Sequence, residues 1–416
     1  MRAVQLTATP RARTPEAALA DPALAVNGGP RAVTATPAPP LLDRDALADD
    51  IGRIMREDRA FVWYGGPRQK AFEAAFAELV GARHGVMCSS GTAALQLLLH
   101  AAGVRRGSVV AVPDFTFHSV LSCVLSMGAV PFLMAVDAQT LMTDVDRAVA
   151  EVPRGAVLVA VHATGRALDV PRILAERPDL TVVEDTADAQ ATLLRGRQVG
   201  TDGLGACWSF TTSHNEVHTA GVAGMVTTDD RQLADRLRRL AHYGKEHRSV
   251  HPGTPLNPMP AEPGYNFMTT EVEAAAGLAA ARVAPQAWER RRTAGRDLAG
   301  HLAALDLSPV PEPADSTQNF YDVLFRPGPQ WTAHEERLLD ALVAEGCPAW
   351  SYHTLSQFPW VAAELGALGV WGERERRIAE DADALGPVLG IRPAPGEART
   401  RAVAEGAAKI FREGNT

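Results

Sequence analysis

The chain has 416 residues, 46% of them hydrophobic and 22% charged, with a formal net charge of -8. This is ordinary globular usage at a length for two or three domains, and it excludes a disordered, fibrous or coiled-coil protein. The acidic balance speaks against nucleic acid as a partner, and no apolar run reaches the ~20 residues of a membrane span.

Residues 1–40 are rich in Ala, Pro, Thr and Arg without periodicity, which predicts a mobile or loosely docked N-terminal arm. The N-terminus carries no apolar signal core, so a cytoplasmic protein is expected. Residues 43–57 have helical spacing of Leu47, Ile51, Ile54 and Met55, and residues 70–80 form a second helix. From there strands and helices alternate. Residues 85–88, 108–113, 130–136, 156–162 and 180–184 are continuous apolar runs, with helices at 93–102 and 115–127 between them. Such runs predict a parallel sheet covered on both faces. Two further strands are expected at 208–210 and 224–227, then an amphipathic helix at 231–241 and a long Ala-rich helix at 271–305. The C-terminal part reads as α+β, with a strand at 321–326 and helices at 334–345 and 402–412. The division is then an arm (1–40), a large domain (41–265), a linking helix (266–310) and a small C-terminal domain (311–416).

Ligands of an open parallel sheet bind at the carboxyl ends of its strands, and four segments fall there. Ser89-Ser90-Gly91-Thr92 opens a helix, and its backbone N–H groups suit an anion; a capped strand–helix turn accounts for the same residues. In Asp114-Phe115-Thr116-Phe117-His118 an aromatic ring can stack on a planar ligand or belong to the core. Glu184-Asp185 end an apolar strand, where a carboxylate needs a partner, such as a protonated ring nitrogen or a helix N-terminus to cap. The polar loop from Ser209 to Gly224 contains His214, Glu216 and His218. His214 and His218 lie four apart, but the loop has no helical pattern and no third ligand, so no metal is expected. Cys88, Cys123, Cys207 and Cys347 lie far apart without a CxxC and read as free buried thiols. Only Lys70, Lys245 and Lys409 are lysines, so chemistry that needs a lysine has three candidates.

In this order the four segments resemble the DegT/DnrJ/EryC1/StrS sugar aminotransferases, most closely those acting on cyclitols or making 3-amino-5-hydroxybenzoate. Further matches are Asn27-Gly28-Gly29-Pro30, Gly65-Gly66 with Phe72-Glu73, Val161-His162 through Gly165 to Asp169, Gly264-Tyr265-Asn266, and Ala344-Glu345-Gly346. The resemblance implies the fold-type-I transferase fold of pyridoxal phosphate (PLP) enzymes. That fold has a large domain with a mostly parallel seven-stranded sheet and a smaller C-terminal α+β domain. It implies a homodimer with a composite active site and a small-molecule substrate. Carried over by position, Gly91, Thr92 and Ser209 hold the cofactor phosphate and Phe117 stacks on the ring. Asp185 pairs with the ring nitrogen, and Asp188 stands where the family has Gln or His at the ring hydroxyl. Asn266 reaches the phosphate of the neighbouring subunit.

Beyond Asp188, and a GxNxRMxE stretch that carries Thr269 and lacks the Arg, the sequence departs from the family chiefly at one place. The pattern SFxxxK followed by GEGG places the Schiff-base lysine five residues after a serine. Here the fifth residue after Ser209 is His214, the loop before Gly221 is longer, and GEGG has become Gly221-Val222-Ala223-Gly224. Another gap placement brings Glu216 or His218 to that position, and none brings a lysine. Related keto-sugar dehydratases carry His there and use pyridoxamine phosphate (PMP). The expected activity is therefore PMP- or PLP-dependent elimination, or related carbanion chemistry, with the cofactor bound non-covalently and His214 as base. The alternatives are a non-catalytic partner of a lysine-bearing paralogue, an aminotransferase using Lys70 or Lys245, and cofactor-independent chemistry in the same pocket.

Overall fold

The computed structural model describes residues 14–34, 41–56, 65–211, 216–219, 221–245, 259–305 and 307–411. Two helices, α1 (Arg44–Arg56) and α2 (Pro67–Val80), precede the central sheet. The chain then runs through β1 (His84–Cys88), α3 (Gly91–Ala101), β2 (Val109–Pro113), α4 (Ser119–Ser126) and β3 (Val130–Met134). It continues through α5 (Val145–Glu151), β4 (Val157–Val161), α6 (Val170–Glu176) and β5 (Thr181–Asp185). β6 (Ala206–Ser209), β7 (Gly224–Thr228) and α7 (Arg231–Ala241) complete the layer, and α8 (Glu271–Ala303) crosses its back.

The seven strands lie in the order β1-β7-β6-β5-β4-β2-β3. Six point the same way, while β7 runs antiparallel to both its neighbours. An all-parallel sheet does not describe this edge: among the described residues no crossover helix lies between β6 and β7, and a return without one lays the next strand antiparallel. Alternation along the strands separates two cores. Val110, Val159, Val183, Cys207 and Val226 face α3, α4 and α7, whereas Ala111, Leu158 and Val182 face α5 and α6. On the back, Phe72, Phe76, Trp208 and Phe210 interlock with ring centroids 4.8–6.1 Å apart beneath α8. The four cysteines are buried and free. Among the described residues no helix is long and apolar enough to cross a membrane.

The C-terminal layer is a four-stranded antiparallel sheet. It consists of β8 (Ser308–Pro309), β9 (Val323–Arg326), β10 (Ala349–Tyr352) and β11 (Val388–Ile391), in the order β8-β9-β11-β10. Helices α9 (Glu335–Glu345), α10 (Pro359–Ala367), α11 (Glu373–Asp383) and α12 (Glu397–Phe411) accompany it. β10, β11, α10 and α11 had no clear signal: the strands are four residues each, and Gly390 and Ser351 interrupt their apolar pattern.

The described part of the N-terminal arm is docked, not loose. Ala18, Leu19, Leu24 and Val33 join the core of the C-terminal layer beside Leu338, Leu342 and Val403. Glu345, fully buried, anchors them: its carboxylate accepts the N–H groups of Ala25 (2.8 Å) and Ala32 (2.9 Å) and the Lys409 ammonium (2.8 Å). Composition hid this, because one acid 320 positions away holds the segment. Removing a hydrogen-bonded charge of this kind costs about 1.5–3 kcal/mol. Glu345→Ala is expected to lower stability in urea by that amount and to open residues 14–34 to proteolysis, while Lys409→Ala does so more weakly.

Candidate active site

A cavity of about 570 Å³ opens at the carboxyl ends of the parallel strands, between the central sheet and the C-terminal layer. Its floor is the N-terminus of α3. The Ser90 hydroxyl caps this helix by accepting the Ala93 N–H at 3.0 Å, and Gly91 and Thr92 line the cavity. Gly91 is dictated by packing, since a Cβ there would meet Cβ of Ser209 at 2.9 Å. The free N–H groups and dipole of this helix end favour an anion.

The end of β5 sends two acids to opposite faces. Glu184 is fully buried. It accepts the N–H groups of Gly200 (2.9 Å), Asp202 (2.8 Å) and Gly203 (2.7 Å) and pairs with Nε2 of His162 (3.1 Å). Burial alone would raise its pKa, but His162 and these amides hold it below the usual carboxylate range. His162 Nδ1 accepts the Leu168 N–H, so both ring nitrogens are engaged and this histidine acts as a strut. Asp185 faces the cavity, where it accepts the Ala187 N–H (3.0 Å) and the Cys207 thiol. Burial pushes its pKa up. A cationic ring nitrogen is the partner that would reverse this shift.

Phe117 lines the mouth, 68% exposed and tilted against His118 with ring centroids 4.1 Å apart. The helix predicted over 115–127 starts only at Ser119, because residues 115–118 form the turn that turns these rings inward. Asp188 and Ser209 also line the cavity. Gly91, Thr92, Phe117, Asp185, Asp188 and Ser209 are thus brought together. An anion site, a ring-sized gap, an exposed aromatic and a buried acid fit a phosphate-bearing pyridine.

The remaining candidates lie elsewhere. His214 falls outside the described residues. Glu216 turns away from the cavity and pairs with Arg291 of α8 at 3.4 Å. His218 does not line the cavity either, and burial lowers its pKa. Gln190 fixes the base of this loop, its amide bonding Ser209 O, Val217 O and Val217 N–H. Asn266 does not line its own chain's cavity and forms a backbone bridge with His242. Lys70 is exposed on α2, Lys245 lies 5.5 Å over the Tyr243 ring, and Lys409 is paired with Glu345. None of the three lines the cavity.

Sequence reasoning missed the opposite wall. Tyr321, Trp350, Tyr352, His353 and Arg392 of the C-terminal layer face the sheet. Arg392 is stacked on Tyr321 and Trp350, 4.6 and 4.5 Å from their ring centroids, and salt-bridged to Asp322 (3.1 Å). These residues arrive from positions more than 90 beyond the sheet, and no local motif marks them.

The description of the DegT/DnrJ/EryC1/StrS aminotransferase family matches residues 47–365. The chain belongs to this family. It is 35% identical over 316 residues to the UDP-N-acetyl-3-dehydro-alpha-D-glucosamine 3-aminotransferase of Acidithiobacillus ferrooxidans, covering 75% of this chain and 80% of the relative. Among solved structures, DesI, crystallised with its TDP-sugar product, is 28% identical. It aligns with a TM-score of 0.75 over 94% of this chain and 97% of its own. 3-Amino-5-hydroxybenzoic acid synthase is 25% identical with a TM-score of 0.78, over 90% of this chain and 98% of its own. The fold is therefore that of the fold-type-I PLP aminotransferases, and the DegT/DnrJ/EryC1/StrS family is one of small-molecule sugar-processing enzymes.

The two walls of the cavity meet at Asp114, which follows β2 and is fully buried. Its carbonyl accepts the Leu355 N–H at 2.7 Å, and its carboxylate accepts the Ser356 N–H (2.8 Å) and hydroxyl (2.6 Å). Burial pushes its pKa up to about 6, against the Ser356 and Thr354 hydrogen bonds that pull it down. The native state then holds this proton at pH values where the unfolded chain has lost it, so the contribution falls as pH rises from about 4 to 6. Asp114→Asn is expected to remove that slope, whereas Asp114→Ala, which leaves Ser356 unpaired, loses about 1–3 kcal/mol in urea denaturation.

Proposed function

We propose that this chain is a lysine-less member of the family that uses non-covalently bound PMP or PLP. Its chemistry is elimination, such as dehydration, or a related carbanion reaction on a keto-sugar, cyclitol or similar polyol in natural-product biosynthesis. The observation that carries this reading is the placement of Lys70, Lys245 and Lys409 away from a cavity that otherwise keeps the family's acid, glycine and aromatic positions. The bound pyridine ring supplies an electron sink for charge developing on carbon.

The N–H groups at Gly91 and Thr92, with the Ser209 hydroxyl, hold the phosphate. The Asp185 carboxylate keeps the ring nitrogen protonated, and Phe117 covers the ring face. His214 takes the proton from carbon, a role that needs a group titrating near neutral pH and no covalent bond. Glu216 and Gln190 hold the far side of its loop. The protein acts as a homodimer, with Asn266 serving the neighbouring subunit's phosphate. Its position outside its own cavity supports that role.

The test is the absorbance of the purified protein titrated with PLP and then PMP, followed by borohydride treatment and intact mass. The expected result is a saturable PMP band with no fixed adduct, weakened at least about tenfold in Asp185→Ala, the effect of roughly one lost charge-assisted pairing. A borohydride-fixed PLP on Lys70 or Lys245 overturns the reading in favour of transamination. Binding of neither cofactor overturns it in favour of a partner subunit or cofactor-free chemistry. With a substrate in hand, His214→Ala should keep cofactor binding and lose about 10²–10⁴-fold in turnover.

A further inference from the structure

We propose that the C-terminal wall of the cavity recognises its substrate through ring carbon. Trp350 and Tyr352 form a stacking platform for the C–H face of a sugar or cyclitol ring, and Asp322 is the positioning residue that sets the platform. The choice of a sugar or cyclitol rests on the proposed function, whereas the platform rests on where these side chains place their polar ends.

Trp350 and Tyr352 stand two apart in β10, on one face of the strand, and both line the cavity. The Trp350 Nε1–H donates to Asp322 at 2.7 Å, and the Tyr352 hydroxyl donates to the same carboxylate. Asp322 is almost fully buried and does not line the cavity, so it lies behind the wall. It also receives Nε of Arg392, which follows β11, at 3.1 Å. One carboxylate thus fixes three side chains of the wall. An indole carries a single N–H and a phenol a single hydroxyl. With both directed at Asp322, the surface that these rings show to the cavity is carbon. Ser351, between them, spends its hydroxyl proton on Glu335.

The packing of the wall keeps the rings in place. Trp350 pairs across the sheet with Gly390 of β11, where a Cβ would collide with Cε2 of Tyr352. Glycine at this position lets the Tyr352 ring lie across the neighbouring strand. The Arg392 guanidinium stacks on the Trp350 and Tyr321 rings, 4.5 and 4.6 Å from their centroids. The charge of Arg392 is therefore layered against aromatic faces and matched by Asp322.

In the proposed function the cofactor takes the sheet side of the cavity, and the substrate lies between it and this wall. A sugar or cyclitol ring carries hydroxyls around its rim and C–H bonds on its faces, and the C–H face suits ring carbon. A diphosphate or carboxylate placed there would lose its hydration against carbon without recovering hydrogen bonds. The wall therefore selects for the ring of the substrate.

The experiment is saturation-transfer-difference NMR on the full-length protein, without and with PMP, using myo-inositol and TDP-glucose as probes. Saturation of the ring C–H protons of at least one probe is expected. Trp350→Phe, which keeps an aromatic ring and loses the N–H, should bind that probe as wild type does. Trp350→Leu, which loses the aromatic ring, should bind it about three- to tenfold more weakly. Asp322→Ala should weaken it to the same degree and shift the indole N–H resonance of Trp350, assigned by its absence in Trp350→Phe, while the PMP absorbance titration stays that of wild type. Asp322→Asn serves should the alanine variant misfold. No ring saturation from either probe, saturation confined to the thymine of TDP-glucose, or unchanged binding in Trp350→Leu overturns the platform. Equal losses in Trp350→Phe and Trp350→Leu overturn recognition through ring carbon in favour of the N–H. Unchanged binding and an unshifted indole resonance in the Asp322 variants overturn the positioning role. If PMP fails to bind, the cofactor reading fails, while the probes still decide the platform on the ligand-free protein.

Discussion

A carboxylate with no access to water organises this active site. Glu184 is surrounded by three backbone N–H groups and an imidazole; the amides tie the turn at 200–203, and the imidazole the segment after β4, to the end of β5. A buried charge is tolerable only when its hydrogen-bond capacity is filled, so the turn at 200–203 and the segment after β4 have little freedom. Because strand residues alternate faces, fixing Glu184 on one side fixes Asp185 on the other. The two neighbours differ by environment alone. Glu184 is held ionised by saturated bonding, whereas burial in the cavity drives Asp185 towards the neutral form until a cation arrives. The stabilising acid and the cavity-lining acid are thus consecutive residues.

Much of this was legible in the chain. Continuous apolar runs marked strands buried on both faces, and the rule that ligands sit at strand carboxyl ends singled out Gly91, Thr92, Asp185 and Ser209. That legibility has a physical origin, because a parallel strand and the turn after it are local in sequence. The opposite wall is not local. Arg392 lies more than 200 positions after Asp188 in the chain, and only the tertiary fold makes them neighbours. The orientation of β7 was equally hidden, since a strand carries no mark of its direction. Glu216 looks in sequence like a catalytic acid in a polar loop; an arginine on a helix 75 positions later turns it away.

The family resemblance and the missing lysine are compatible on physical grounds. The acid, the helix end and the aromatic ring offer non-covalent contacts that suit a planar anionic ligand. None depends on a covalent tether. Losing the tether removes one attachment and leaves the recognition surface standing, which explains how the cavity keeps its shape with every lysine elsewhere.

The docked arm bears on how the molecule is made. Leu19, Leu24 and Val33 leave the ribosome more than 300 residues before their hydrophobic partners in α9 and α12. Glu345 and Lys409, which secure them, are separated from the arm by more than 300 residues. The C-terminal core therefore cannot close until α12 has been made, and the arm's apolar side chains wait uncovered until then. Such long-range closure slows folding and exposes the chain to premature association. A fragment ending before α9 would hold a complete central sheet and an N-terminal arm with nowhere to bind.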